Sequence, residues 1–259
     1  KKKKYDINAT VGPSIVQFDN NSFYLGLPTS LSKNYVLPYA NARLGYRFNK
    51  SKSIYLNYSY DVDFPNANQI LPVEDLSNPL STVVGNVDLK PSRNQGGYFS
   101  FRNYDYATRS GYSIYFGGDL YDNQVVSSVL YDTSIKSKTT FENVSGTYST
   151  WSGSSWNKTI KRDAHTFKYG VGFSANYGLS KGFVNGEMFE AKTLRLNPRA
   201  NFTYEYGELL TINPTYNFAY NDSKYTNYRT SGASSVTHRF NIQTTNYWPK
   251  NWVFGNDFG

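Results

Sequence analysis

The stretch YVLPYANARLGYRFNKSKSIYLNYSYDV, residues 35–62, decides the fold. Taken at alternate positions, one row reads Pro38, Ala40, Ala42, Leu44, Tyr46, Phe48, then Ile54, Leu56, Tyr58, Tyr60, Val62. The other reads Tyr39, Asn41, Arg43, Gly45, Arg47, then Tyr55, Asn57, Ser59, Asp61. Successive side chains of an extended strand point to opposite faces. The pattern therefore describes two antiparallel strands around a polar turn at 49–53, with one apolar face and one wet face. About nine to eleven tilted residues of this kind cross a bilayer as barrel wall. The expected fold is all-β, an antiparallel transmembrane β-barrel wall.

The same two-row code recurs. In 165–177 the apolar row is Phe167, Tyr169, Val171, Phe173, Ala175, Tyr177; in 193–204 it is Leu194, Leu196, Pro198, Ala200, Phe202, Tyr204. Leu210, Ile212, Pro214, Tyr216, Phe218, Tyr220 form the next, and Val236, His238, Phe240, Ile242 open another. About ten complete strands are expected, with an eleventh starting at Trp252. Pro38, Pro198 and Pro214 lack a ladder donor and are expected at bulges or strand ends. His238 on an apolar row is expected near an interface, and 143–157 alternates poorly.

Composition agrees with a barrel. The chain has 259 residues, with 25 Tyr and 17 Phe against one Met, and a mean hydropathy of −0.60. A wall strand needs only every second residue to be apolar, so low bulk hydropathy is expected, and no continuous apolar run suits a membrane helix. The absence of cysteine removes disulfides, thiolate metal sites and cysteine nucleophiles. The net charge of +8 is scattered over turns, loops and polar rows. Without a basic helix or an aromatic RNA-binding signature, it argues against nucleic acid as a partner. Lys1 to Lys4 read as a cap on the first strand at a water-facing turn.

Connections alternate in length. Short polar turns are expected near 49–53, 105–110, 158–164, 206–208 and 249–251. Longer Asn-, Ser-, Gly- and Lys-rich segments are expected at 19–34, 64–94, 133–142, 178–191 and 221–235. That is the asymmetry of periplasmic turns and outer loops in the outer membrane of a Gram-negative cell. The odd strand count and the lack of a signal peptide point to a piece of a larger wall. Residues 1–259 are accordingly read as one outer-membrane β-barrel domain truncated at both ends.

Against this frame, Asn78-Pro79-Leu80 followed by Gly85-Asn86-Val87-Asp88-Leu89-Lys90-Pro91 resembles a signature of TonB-dependent receptors, in which a Gly-Asn-Pro-x-Leu-Lys-Pro-Glu stretch precedes a barrel strand. Val87 and Ser92 depart from it. Val125 to Ser128 on a strand leaving Asp122-Asn123, and the Lys181-Gly182-Phe183-Val184-Asn185-Gly186-Glu187 loop, resemble the Bacteroidetes-type barrels related to those receptors. The resemblance covers most of 35–255. It implies a barrel of twenty-two strands and nutrient import. It also implies an N-terminal plug and TonB box, neither of which is visible in this chain, so the plug and TonB system would be partners through a missing N-terminal part.

Candidate functional residues fall in two groups. Arg43, Arg47, Arg102, Lys168, Arg195, Arg199 and Arg239 sit on polar rows. They are expected to face the lumen, where they would contact a plug, select an anionic solute, or simply be tolerated by a wet interior. Tyr148, Trp151, Trp156, Phe183, Tyr225 and Tyr228 are expected on outer loops, where aromatics among Asn, Ser and Thr suit sugar rings or peptides. Trp248, Trp252, Tyr206 and Phe48, beside short turns, read as a periplasmic aromatic girdle.

His165 and His238 lack a catalytic partner at recognisable spacing, so no enzyme, catalytic residue or cofactor is expected. Asp61, Asp63, Glu74 and Asp75 match no calcium loop, and no metal is expected. The leading reading is a plugged importer touching outer-membrane lipid and lipopolysaccharide. The alternative is a structural or interaction barrel in an export or surface-assembly complex, with surface lipoprotein or other partners. A secreted soluble sandwich is a further, weaker class.

Overall fold

The structure is a computed structural model describing residues 4–24, 27–75, 77–133, 136–248 and 252–259. The chain opens with β1 (Tyr5–Tyr24), β2 (Leu27–Arg47) and β3 (Lys52–Asp63). The one-turn helix α1 (Ala67–Ile70) and the short strands β4 (Glu74–Asp75) and β5 (Ser81–Val84) follow. Then come β6 (Ser92–Asp105), β7 (Ser110–Asp122), β8 (Gln124–Tyr131), β9 (Ser137–Val144), β10 (Thr147–Arg162) and β11 (His165–Val184). The chain ends with β12 (Glu187–Tyr206), β13 (Leu210–Thr226), β14 (Gly232–Trp248) and β15 (Trp252–Phe258).

Eleven of these form one antiparallel wall in the order β1-β2-β3-β6-β7-β10-β11-β12-β13-β14-β15, ten of them long and β15 only seven residues. Directly opposed residues share a face, so the register carries each row across the wall. One line runs Ile7, Leu44, Leu56, Phe99, Phe116, Ser152, Ala175, Leu196, Tyr220, Val236. Its apolar members stand uncovered, with Leu44 39%, Phe116 57% and Val236 54% exposed. An apolar face left open by a single-layer sheet is what a lipid phase would cover.

The short-turn end carries a belt of rings. Tyr46 meets Phe48 edge-on at 4.8 Å, Phe101 lies 5.7 Å from Tyr112, His165 5.0 Å from Tyr206, and Trp248 6.5 Å from Phe254. Both histidines on apolar rows have tyrosine partners. His165 Nδ1 lies 2.8 Å from Tyr204 Oη, and His238 Nδ1 lies 2.8 Å from Tyr216 Oη. Residues 1–3 of the lysine run and the 249–251 turn lie outside the described residues.

Two expectations need correction. The segments 19–34, 178–191 and 221–235 are mostly strand: β11 and β12 pair out to Val184 opposite Glu187, leaving a two-residue turn. Asn185 (φ 52°) and Gly186 (φ 80°) both take left-handed conformations there, the requirement of a tight hairpin turn that Asn-Gly meets. Hairpin pairing continues where the apolar alternation fades. Second, the prolines make no bulges: the β12–β13 ladder skips Asn197 and Pro198, and also the two residues facing Asn213 and Pro214, yet resumes in the same register. Pro38 lies two residues beyond the last β2–β3 pair, Ala40 with Tyr60. The poorly alternating strand over 143–157 is present: residues 147–157 form most of β10, fixed between β7 and β11 although its outward row interrupts Tyr148 and Trp156 with Thr150, Ser152 and Ser154.

Among the described residues, three of the four buried hydrophobic side chains, all but Ala191 of β12, lie off the wall. Segments 64–91 and 123–146 fold together at the end away from the short turns, with β5 pairing β9 in parallel and β9 pairing β8 antiparallel. Beyond the reach of β10, β8 takes a place beside β11 at Phe183 and Val184. Ile70 and Leu89 are 2% exposed and Val144 6%.

Candidate functional site

The outer assembly is built around asparagines. Asn86 accepts from the Asp88 N–H at 2.9 Å, donates its amide to the Phe141 carbonyl at 2.8 Å, and gives its backbone N–H to the Gln69 carbonyl at 2.7 Å. Asn143 accepts from the Lys90 N–H at 2.8 Å and donates to the carbonyls of Lys90 and Asn123 at 2.9 and 2.6 Å. The Gly85 to Pro91 stretch is therefore a bracket closing over Leu89 and delivering the chain into β6. Ser92 ties its base, donating to the Asn123 carbonyl at 3.0 Å and accepting from the Val125 N–H at 3.2 Å. Lys33 Nζ donates to the Val87 carbonyl and Tyr35 lies 5.5 Å from Phe64, so the β1–β2 hairpin leans on this assembly.

The polar face of the wall brings together all seven cationic residues singled out in the sequence. One register line runs Arg43, Asn57, Tyr98, Gly117, Trp151, Asn176, Arg195. A second runs Arg47, Ser53, Arg102, Ser113, Ser155, Gly172, Arg199, Asn217, Arg239. Lys168 shares this face and pairs with Glu205. Arg102 stands 5.3 Å from the rings of both Tyr104 and Tyr106, and Arg43 5.8 Å from Tyr55.

Aromatic rings lie among these cations. Tyr55 and Tyr98 are 6.0 Å apart, Tyr98 and Tyr115 6.5 Å. Trp151 lies over Gly117, where an added Cβ would come 2.7 Å from its ring, and Tyr115 lies over Gly153 with a Cβ clearance of 2.5 Å. Each glycine sits directly opposite the ring that covers it, so the missing side chain lets the aromatic extend across the neighbouring strand. The sequence reading did not select Tyr55, Tyr98 or Tyr115; their place on the polar row was the signal.

The expected outer aromatics divide. Tyr148, Trp151 and Trp156 are in β10, not on a loop. Tyr148 packs against Tyr177 at 5.9 Å on the apolar side, and Trp156 stands on the same side opposite Tyr112 and Val171. Tyr225 and Tyr228 do meet at 5.5 Å, joined by Phe189, which the sequence reading passed over, at 5.0 Å from Tyr228. Phe183 lies outside that cluster, beside β8. Tyr228 borders an open cleft of about 830 Å³ with Tyr131, Glu187 and Arg229 between the hairpin tips.

Glu74 pairs with Lys138 at 3.5 Å, and among the described residues no three acidic or histidine side chains converge as a metal site. No described helix is long and apolar enough to cross a membrane, which says nothing of strands. Comparison with curated proteins finds no significant match. Comparison with family models matches residues 15–241 to the outer membrane protein beta-barrel family. With a two-faced antiparallel wall beneath that match, the chain belongs to the outer membrane protein beta-barrel family and is a protein of the bacterial outer membrane.

Proposed function

We propose that this chain is wall and mouth of a TonB-dependent receptor-like transporter, importing a nutrient through a plugged barrel. The observation that carries the reading is the polar face. Aromatic rings laid over glycines, with arginines on the same face, give a surface built to meet a solute or a plug. A lumen that merely tolerated water would need neither. The outer assembly supports the reading, because the Gly85 to Pro91 bracket that resembles the receptor signature is the piece that anchors the mouth to β6. Capture is assigned to the mouth, where Tyr225, Tyr228 and Phe189 cluster beside the cleft.

The test uses the full-length protein in its own outer membrane. Uptake of radiolabelled candidate nutrients is compared between wild-type and deletion cells, with and without a protonophore. Saturable uptake that collapses with the inner-membrane proton gradient is expected. Passive flux indifferent to the protonophore, or no difference between the strains on any nutrient that supports growth, would refute import.

A further inference from the structure

Arg199 on β12 and Arg239 on β14 stand in one register line with Asn217 of β13 between them. Neighbouring strands lie about 4.8 Å apart, so the two arginine backbones are separated by roughly 10 Å, a span that two guanidinium arms can close around one oxyanion. Both border an open cavity of about 630 Å³ whose other walls include Ser155, Ser174, Thr237 and Tyr115. Those hydroxyls, with the Asn217 amide, add neutral donors around the same space.

Arg199 has room because position 172 carries no side chain. An added Cβ there would fall 2.7 Å from Arg199 Nε. Some other cations of this face are already engaged. Lys168 is taken by Glu205, and Arg102 lies against Tyr104 and Tyr106. Among the described residues, neither Arg199 nor Arg239 has a carboxylate within 4.0 Å. Two uncompensated cations over a hydroxyl-rich cavity make a receptor for concentrated negative charge.

We propose that Arg199 and Arg239 form a clamp for the phosphate or carboxylate group of an anionic solute on the lumen face. The proposal deepens the import reading by naming the charge class of the solute, and it rests on that reading for the solute's route. The clamp itself is a binding property and is measurable without transport.

The full-length protein, purified in detergent, is titrated calorimetrically with inorganic phosphate and, separately, with citrate. R199Q, R239Q and R162Q are titrated alongside, the last at the short-turn end of β10 and outside the cavity. Retained heat-modifiable migration certifies each as folded. Saturable binding of at least one anion is expected, weakened at least tenfold by R199Q or R239Q and less than twofold by R162Q, and weaker at high ionic strength. Which anion binds more tightly tells phosphate from carboxylate. Folded wild-type protein that binds neither, or equal losses in all three variants, would overturn the clamp. If wild type binds neither anion while R199Q and R239Q expose the plug to protease, the pair anchors the plug and the clamp is likewise overturned. Anion binding that persists in a protein whose uptake ignores the proton gradient would remove the import reading and keep the clamp.

Discussion

Leu44→Arg tests the two-faced wall at its most exposed assumption. Leu44 lies between Ile7 and Leu56 on the apolar face and is 39% exposed. Phe48, packed edge-on against Tyr46, marks the short-turn belt four residues away. Four residues rise about 13 Å along a strand, or roughly 10 Å along the membrane normal at the usual tilt, against an apolar band about 25 Å tall. Position 44 therefore falls close to the midplane, where an arginine on the lipid face costs about 2–4 kcal/mol. At about 1.4 kcal/mol per decade, the folding equilibrium shifts roughly 30- to 700-fold. Asn41→Arg is the control, on the polar face between Thr10 and Ser59, where a change within about 0.5 kcal/mol is expected. The assay is urea unfolding in liposomes, followed by heat-modifiable migration and tryptophan emission. Equal destabilisation at 41 and 44, or tolerance of arginine at both, would refute the assignment of faces.

Three further outcomes follow from named contacts. Leu89→Ala empties a side chain that is 2% exposed and should cost about 2–5 kcal/mol, confined to the outer assembly; limited proteolysis should cut within 64–91 while the wall keeps its heat-modifiable migration. Gly117→Ala puts a methyl 2.7 Å from the Trp151 ring and 2.9 Å from the Gly97 carbonyl, so about 1–3 kcal/mol of destabilisation is expected. A Trp151 emission change, absent in the matching Trp151→Phe background, would report the displaced ring, and an unchanged spectrum would refute the stacking. His238→Phe exchanges the 2.8 Å contact to Tyr216 for an apolar ring and should change stability by less than about 1 kcal/mol; a loss of several kcal/mol would show that the histidine does more than satisfy that hydroxyl.

How much of this was legible in the sequence depends on where the bilayer dictates side-chain choice. Between the short turns and mid-strand, one face had to be apolar, and Leu44, Leu56, Phe173 and Leu196 declare their rows. The polar rows follow by parity, which is why seven scattered cations could be assigned to one face before any pairing was known. Past the bilayer neither face needs to be apolar, so Tyr, Thr and Asn occupy both. The outer halves of β11, β12, β13 and β14 then read as loop although their backbones pair to the tips. β10 fails differently. Its outward Thr150, Ser152 and Ser154 carry no periodic signal, and its neighbours hold it in register, so from sequence Trp151 and Trp156 read as loop residues. β4 and β5, two and four residues long, are too short for periodicity, and the asparagine contacts that fix them span up to 55 positions in sequence.

The wall and its mouth are held by different physics, and β11 is where they meet. A single-layer sheet has no interior, so the wall's apolar rows are stabilised by lipid on one face, and its polar rows by Trp151, Tyr115 and Arg199 lying across glycines on the other. The outer assembly stands in water and needs its own core, which Ile70, Leu89 and Val144 supply. The junction is narrow: β8 pairs with β11 at Phe183 and Val184, Asn185 donates to the Val129 carbonyl at 2.8 Å and accepts from the Tyr131 N–H at 2.8 Å, and Lys181 reaches the Ser145 carbonyl at 3.0 Å. The β6 end is firmer, since the Gly85 to Pro91 bracket enters the wall directly through Ser92. The assembly is continuous in chain with β3, β6, β7 and β10, whereas its reach past β10 to β11 rests on these few contacts at a hairpin tip. That is also the side where Tyr131, Tyr228 and Arg229 border the cleft, so the edge of the assembly that meets the wall through the fewest backbone bonds is the edge that faces the cleft.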